Sequence, residues 1–260
     1  MGSAFIYGVT RKNIISLDNI FIIEPNKNLR KNIKNKGYKV YNHLNDIDLK
    51  KLSIDIILIA VKPQAVSEVL SELKAKMSNN MLLISIVAGK KISYFKNILG
   101  REKLIIRAMP NTPAKIGKGI TALYCSSKIL DKYKKNTNIL FSSTGNVLWL
   151  KKESDMDIVT AISGSGPAYV FKFIEALIET AINAGLDLKT ARTLVKHTLL
   201  GASELALESN TSPKKLRLEV TSPGGTTEAA IKILEKNDQF DKIINLAINA
   251  AIKKSISLST

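Results

Sequence analysis

Short runs rich in Ile, Leu and Val alternate with helix-patterned stretches through the first half of this chain, and that alternation leaves few architectures open. Residues 19–24, 54–61, 81–87 and 104–109 read as strands apolar enough to be buried on both faces, with 38–41 a weaker strand. Between them, residues 26–36, 64–76 and 92–99 carry apolar side chains three and four positions apart, the spacing of a helix with one buried stripe. Strands alternating with helices predict an α/β fold, a doubly wound and mostly parallel sheet. Runs at 120–125 and 147–150, flanking a helix over about 127–142, would close that sheet at one edge.

After Lys152 the strand signals stop, which divides the chain into residues 1–152 and an all-helical domain, 153–260. Helices are predicted over 166–184, ended by Gly185, and over 188–208, with Asp187 as its N-cap. A short helix over 213–220 starts at Ser212-Pro213, and 227–235 and 240–256 complete the domain. The first two of these helices are apolar around more of their circumference than one thin core needs, so they are expected to pack against another subunit.

Two glycine-rich turns break into helices there, Ser163-Gly164-Ser165-Gly166-Pro167-Ala168-Tyr169 and Thr221-Ser222-Pro223-Gly224-Gly225-Thr226-Thr227. A helix that opens on small residues presents unpaired N–H groups and a positive dipole end, which suits a small carboxylate or phosphate. Ordinary helix-start chemistry, Ser165 as a cap with Pro167 in the first turn, is the alternative at the first turn. At the second, paired glycines let a ligand approach the backbone more closely than a cap requires.

The front end is abnormal for a dinucleotide-binding sheet, which opens with a strand leading into G-x-G-x-x-G. This chain starts Met1-Gly2-Ser3, where Gly2 could be the last glycine of such a fingerprint, with residues 3–12 as the helix behind it. The missing strand would sit centrally and leave its neighbours with unpaired edges. Nothing in the sequence reads as a membrane span or secretory signal, and Cys125 is the only cysteine, which points to the cytoplasm. The formal charge of +17 comes from lysines scattered over every predicted helix, not from a stripe with interleaved aromatics, so a nucleic-acid partner is not expected. His43 and His197 are the only histidines and lie far apart, so no metal site is expected.

Four segments in order, Ala60-Val61-Lys62-Pro63-Gln64, Arg107-Ala108-Met109-Pro110-Asn111-Thr112-Pro113-Ala114 and the two glycine-rich turns, resemble the motif series of the pyrroline-5-carboxylate reductase family over essentially the whole chain. The resemblance implies a Rossmann-like first domain followed by a helical dimerisation domain. It implies reduction of the imine of 1-pyrroline-5-carboxylate to L-proline by NADPH or NADH, the last step of proline biosynthesis, in a homodimer or larger homo-oligomer. It also places Met1 just before the last fingerprint glycine, so the expectation is an active reductase whose true start lies upstream. The alternative is a cofactor-impaired homologue that serves as a binding or assembly partner.

Site residues follow from the same resemblance. The N–H groups of Gly225, Thr226 and Thr227 would hold the substrate carboxylate, and the Thr227 hydroxyl would bond the ring nitrogen as the catalytic group. Glu153 would lie near the substrate and favour its iminium form, while Ser163 and Gly164 shape the pocket wall. Gly2, Ser3, Ala60, Val61, Lys62, Pro63, Ala88, Gly89, Asn111 and Thr112 would line the cofactor. Glu24 would pair with the ribose hydroxyls of NADH, whereas Asn26 and Lys27 could instead receive the extra phosphate of NADPH.

Overall fold

Strand β4 (Leu82–Ser85) is buried along its whole length, and the main sheet is built outward from it. The structure is a computed structural model that describes residues 1–126 and 129–258. In it β4 lies between β3 (Ile56–Ile59) and β5 (Leu104–Pro110), parallel to both, with Ile59 opposite Ser85 and Ser85 opposite Arg107. Strand β6 (Gly119–Tyr124) then runs antiparallel to β5, and β7 (Gly145–Trp149) parallel to β6. The sheet is therefore mostly parallel and is closed at one edge by the two late strands.

Alternation along β4 sends its side chains to two cores. Leu83 joins Val66, Leu70 and Leu73 of α3 (Val66–Lys74) and Ile92, Phe95 and Leu99 of α4 (Ile92–Leu99). Leu82 and Ile84 face the other way, towards Val9 of α1 (Gly2–Arg11) and Leu140 and Phe141 of α5 (Asp131–Ser142). Helices α3 and α4 offer their core residues at three- or four-residue spacing, which is why the sequence pattern locates them. The predicted start of α5 near 127 falls on residues 127–128, outside the described residues.

Strands β1 (Phe21–Ile23) and β2 (Lys39–Tyr41), joined by α2 (Lys27–Lys34), form a separate two-stranded parallel sheet. Among the described residues no strand pairs with the second edge of β1 or of β3.

The chain divides into two compact units, Met1–Ser165 with Ala251–Thr260, and Gly166–Ala250. The first holds both cores. The second contains α7 (Gly166–Asn183), α8 (Leu188–Glu208), α9 (Pro213–Glu219), α10 (Thr226–Glu235) and most of α11 (Gln239–Leu258). Asp187 caps α8 through the N–H groups of Lys189 and Thr190, at 2.9 and 3.0 Å, and Gly185 ends α7 with φ +104°. Large apolar side chains on these helices, Phe171, Leu205 and Leu246 among them, remain exposed in the single chain. Among the described residues no helix is long and apolar enough to cross a membrane.

One local expectation is overturned. Residues 163–166 do not form a turn ahead of a helix capped by Ser165. After α6 (Asp155–Val159) the chain continues as a π-helical turn, Thr160–Gly164, closed by Ser165 N–H donating to the Thr160 carbonyl at 2.8 Å. Ser165 itself is helical, with φ −86° and ψ −22°. Small residues permit the wider turn, and such insertions in helices concentrate at functional sites.

Candidate active site

Parallel strands end on a common edge, and β3, β4 and β5 deliver three of the expected cofactor segments there. Beyond β3, Ala60, Val61, Lys62 and Pro63 are all exposed, with Pro63 opening a single 3₁₀ turn. Beyond β4, Ala88 and Gly89 form a turn in which Gly89 takes φ +77°, a conformation that favours glycine. Beyond β5, Asn111 and Thr112 lead into a 3₁₀ segment.

The start of α1 lies against the first of these segments, because a Cβ on Gly2 would stand 3.1 Å from that of Ala60. The earliest α1 donors bonded within the helix are Ala4 and Phe5, both to the Met1 carbonyl, so the N–H groups of Gly2 and Ser3 lie at the helix mouth. A helix mouth beside the carboxyl end of a parallel strand is where a dinucleotide pyrophosphate sits, so these residues fit such a group.

Residues 24–30 are occupied with their own turn. The Glu24 carboxylate accepts the Asn26 N–H at 2.9 Å, and Asn26 Oδ1 caps α2 through Asn28 and Leu29 at 3.0 Å. Arg30 Nη1 donates to the carbonyls of Glu24 and Pro25 and to Asn42 Oδ1, at 2.8, 2.9 and 2.7 Å. Lys27 is exposed beside them.

Glu153 is also engaged. Its Oε1 accepts from Arg107 Nη1 and from the Ile92 backbone N–H, each at 2.8 Å. Any charge it offers a substrate is therefore shared with a guanidinium. Arg107 is a residue the sequence reading passed over, although a lone cation in a strand buried on both faces has to find a partner. Tyr124 stands opposite Arg107 in the sheet. Burial, with the Glu153 carboxylate and Cys125 nearby, pushes its hydroxyl above the ordinary tyrosine value.

Asn111, buried, accepts the Ile120 N–H on Oδ1 at 3.0 Å, and its amide nitrogen is 3.5 Å from Ser163 Oγ. A Cβ on Gly164 would lie 2.6 Å from Met109 Cε, so glycine keeps the π turn close to β5. Among the cofactor-side and pocket-wall residues, the first unit thus links Gly2 to Ala60, and Asn111 to Ser163.

In the second unit Pro223 and Gly224, the latter at φ +72°, turn the chain into α10 with Gly225 as its N-cap. The Gly225 N–H closes that turn onto the Ser222 carbonyl at 3.0 Å, and the Gly224 N–H donates to Glu228 Oε2 at 2.9 Å. Ala229 is the first α10 donor bonded back, to the Gly225 carbonyl, so the mouth consists of the N–H groups of Thr226, Thr227 and Glu228.

Comparison with known proteins gives a consistent picture. Residues 153–258 match the family described as pyrroline-5-carboxylate reductase dimerisation, and residues 1–89 match NADP oxidoreductase, coenzyme F420-dependent. The pyrroline-5-carboxylate reductase of Pasteurella multocida is 34% identical, over 98% of this chain and 93% of that protein. Two solved structures cover 100% of this chain and 95% of their own: pyrroline carboxylate reductase of Plasmodium falciparum with NADP bound (35% identity, TM-score 0.87) and pyrroline-5-carboxylate reductase of Coxiella burnetii (33%, 0.90).

Proposed function

This chain belongs to the pyrroline-5-carboxylate reductase family, and we propose that it reduces 1-pyrroline-5-carboxylate to L-proline, using NADPH or NADH, as the last step of proline biosynthesis in the cytoplasm. The observation that carries this reading is the shared edge of β3, β4 and β5, which holds three segments expected to line the cofactor, the first of them against the mouth of α1.

Reducing a cyclic imine requires a hydride, a proton on nitrogen and a hold on the carboxylate. A bound reduced nicotinamide supplies the hydride. Gly2 and Ser3 hold a pyrophosphate by their N–H groups, while Ala60, Val61, Lys62, Pro63, Ala88, Gly89, Asn111 and Thr112 line the dinucleotide. Thr226 and Thr227 hold the carboxylate through the α10 mouth, with Gly225 shaping it, and the Thr227 hydroxyl bonds the ring nitrogen and orients its proton. Glu153 contributes negative charge on the substrate side, moderated by Arg107. Ser163 and Gly164 form the pocket wall, and Glu24, Asn26 and Lys27 meet the adenosine ribose.

We read residues 1–152 as the dinucleotide domain and 153–260 as the substrate and dimerisation domain. The exposed apolar faces of α7, α8 and α11 support a homodimer or larger homo-oligomer. The test is dinucleotide oxidation by the purified chain with 1-pyrroline-5-carboxylate, with L-proline formed in equal amount. Dinucleotide binding without turnover would instead mark a homologue that has lost the reaction.

A further inference from the structure

Helix α4 begins without a cap of its own. Its N-cap residue is Lys91, whose side chain cannot accept a hydrogen bond, and its first turn contains no acidic residue. The missing acceptor comes from far along the sequence, since Glu153 Oε1 takes the Ile92 N–H, the first of the helix, at 2.8 Å. A carboxylate there satisfies an orphan donor and meets the positive dipole end.

The carboxylate is itself held. Arg107 Nη1 donates to the same oxygen at 2.8 Å, from a side chain only 7% exposed in the middle of β5. Strand β5 is fixed in the sheet on both sides, so Arg107 gives Glu153 a rigid anchor.

Ile92 ends the link that carries Ala88 and Gly89. At the start of this link, Ile86 N–H donates to the Ile59 carbonyl at 3.1 Å and Val87 N–H to Ser85 Oγ at 3.2 Å. Its middle is blocked too, because a Cβ on Gly89 would come within 2.8 Å of the Leu258 carbonyl oxygen at the end of α11. The Glu153 bond closes the remaining end.

We infer that Arg107 and Glu153 are positioning residues for the Ala88-Gly89 turn, acting through the first residue of α4 to set dinucleotide affinity. The inference rests on the reading that this turn lines the cofactor. It gives Glu153 a task separate from any effect on the substrate.

The full-length chain as Glu153→Ala, Glu153→Gln, Arg107→Met and the Arg107→Met/Glu153→Ala double variant provides the test. NADPH dissociation constants, KM for 1-pyrroline-5-carboxylate and amide exchange at residues 92–95 are measured for each. Glu153→Ala is expected to weaken NADPH binding about tenfold, with protection at Ile92 lost, whatever it does to KM for the imine. Glu153→Gln should recover most of the affinity, since its amide oxygen can accept the same N–H. The double variant should be no worse than Glu153→Ala alone, as expected for two residues acting through one bond. Should Arg107→Met fail to fold, the two Glu153 variants carry the test.

Unchanged exchange at Ile92 in Glu153→Ala would overturn the clamp. Faster exchange with unchanged NADPH affinity would overturn the link to the cofactor, and a Gly89→Val variant that kept full affinity would trace that failure to the reading of the turn. A change in the imine KM or in the pH profile of kcat, with NADPH affinity intact, would also overturn it and leave Glu153 its substrate-side role alone.

Discussion

Replacing Gly145 by alanine should unfold the sheet edge far more readily than the same change at Gly185. Gly145 opens β7 directly opposite Gly119, and a Cβ there would lie 2.5 Å from the Gly119 amide nitrogen and carbonyl carbon, and closer still to its oxygen. These are backbone atoms of a paired strand, so no side chain can rotate away. The φ of +143° is a second penalty, about 1–3 kcal/mol for a residue with a Cβ. Pushing β6 and β7 apart adds about 1–3 kcal/mol, and losing the 2.9 Å bond from Gly119 N–H to the Thr144 carbonyl adds about 1 kcal/mol. Together these reach about 3–7 kcal/mol, a large share of the roughly 5–15 kcal/mol that holds a domain. Gly185, at φ +104° with nothing within 4 Å of a new Cβ, should cost only about 1–2 kcal/mol.

Trp149, the only tryptophan, ends β7 and bonds Asn138 Oδ1 at 2.9 Å, so its fluorescence during urea unfolding reports on this edge. The damage should extend to function, because Ile120, next to Gly119, donates to the side chain of Asn111, a residue proposed to line the cofactor. A Gly145→Ala variant that unfolds within about 1 kcal/mol of the parent, or no earlier than Gly185→Ala, would refute this reasoning.

Thr227→Val keeps side-chain volume but removes the hydroxyl, and steady-state kinetics should show kcat down about a hundredfold with little change in KM for NADPH. Glu24→Ala removes negative charge from the end of β1 and should raise the NADPH to NADH ratio of kcat/KM about tenfold; an unmoved ratio would mean the carboxylate serves only the Asn26 turn. The bonds from Thr190 and Lys189 hold the Asp187 carboxyl below its ordinary value, so its stabilisation is complete above the usual carboxylate range and disappears as pH falls through the lowered one. The gap in thermal midpoint between the parent and Asp187→Ala should accordingly be widest near neutral pH and close in acid.

Much of this arrangement is legible in the sequence because it depends on periodicity and on local punctuation. The core residues of α3 and α4 recur at helical spacing, and Asp187 and Gly185 mark helix ends by chemistry that acts within a few residues. What escapes is set by distant partners. Glycines and serines at 163–166 suggest a turn, yet the helical chain on both sides draws them into a π turn. Glu153 reads as a free carboxylate until Arg107 and Ile92, both remote in sequence, are found on the same oxygen. Gly225 looks like an available donor until its N–H closes back on Ser222.

The antiparallel pairing of β5 with β6 bears on the order in which the chain folds. It is the one strand pairing of the five-stranded sheet that needs no crossover helix, since only residues 111–118 separate the two strands. Closing so short a loop loses less chain entropy than recruiting β3 or β4 across α3 or α4, so this hairpin is the natural nucleus for the sheet. The loop it closes carries Asn111 and Thr112, so if this hairpin forms first, two residues proposed to line the cofactor take their places before the strands recruited across helices.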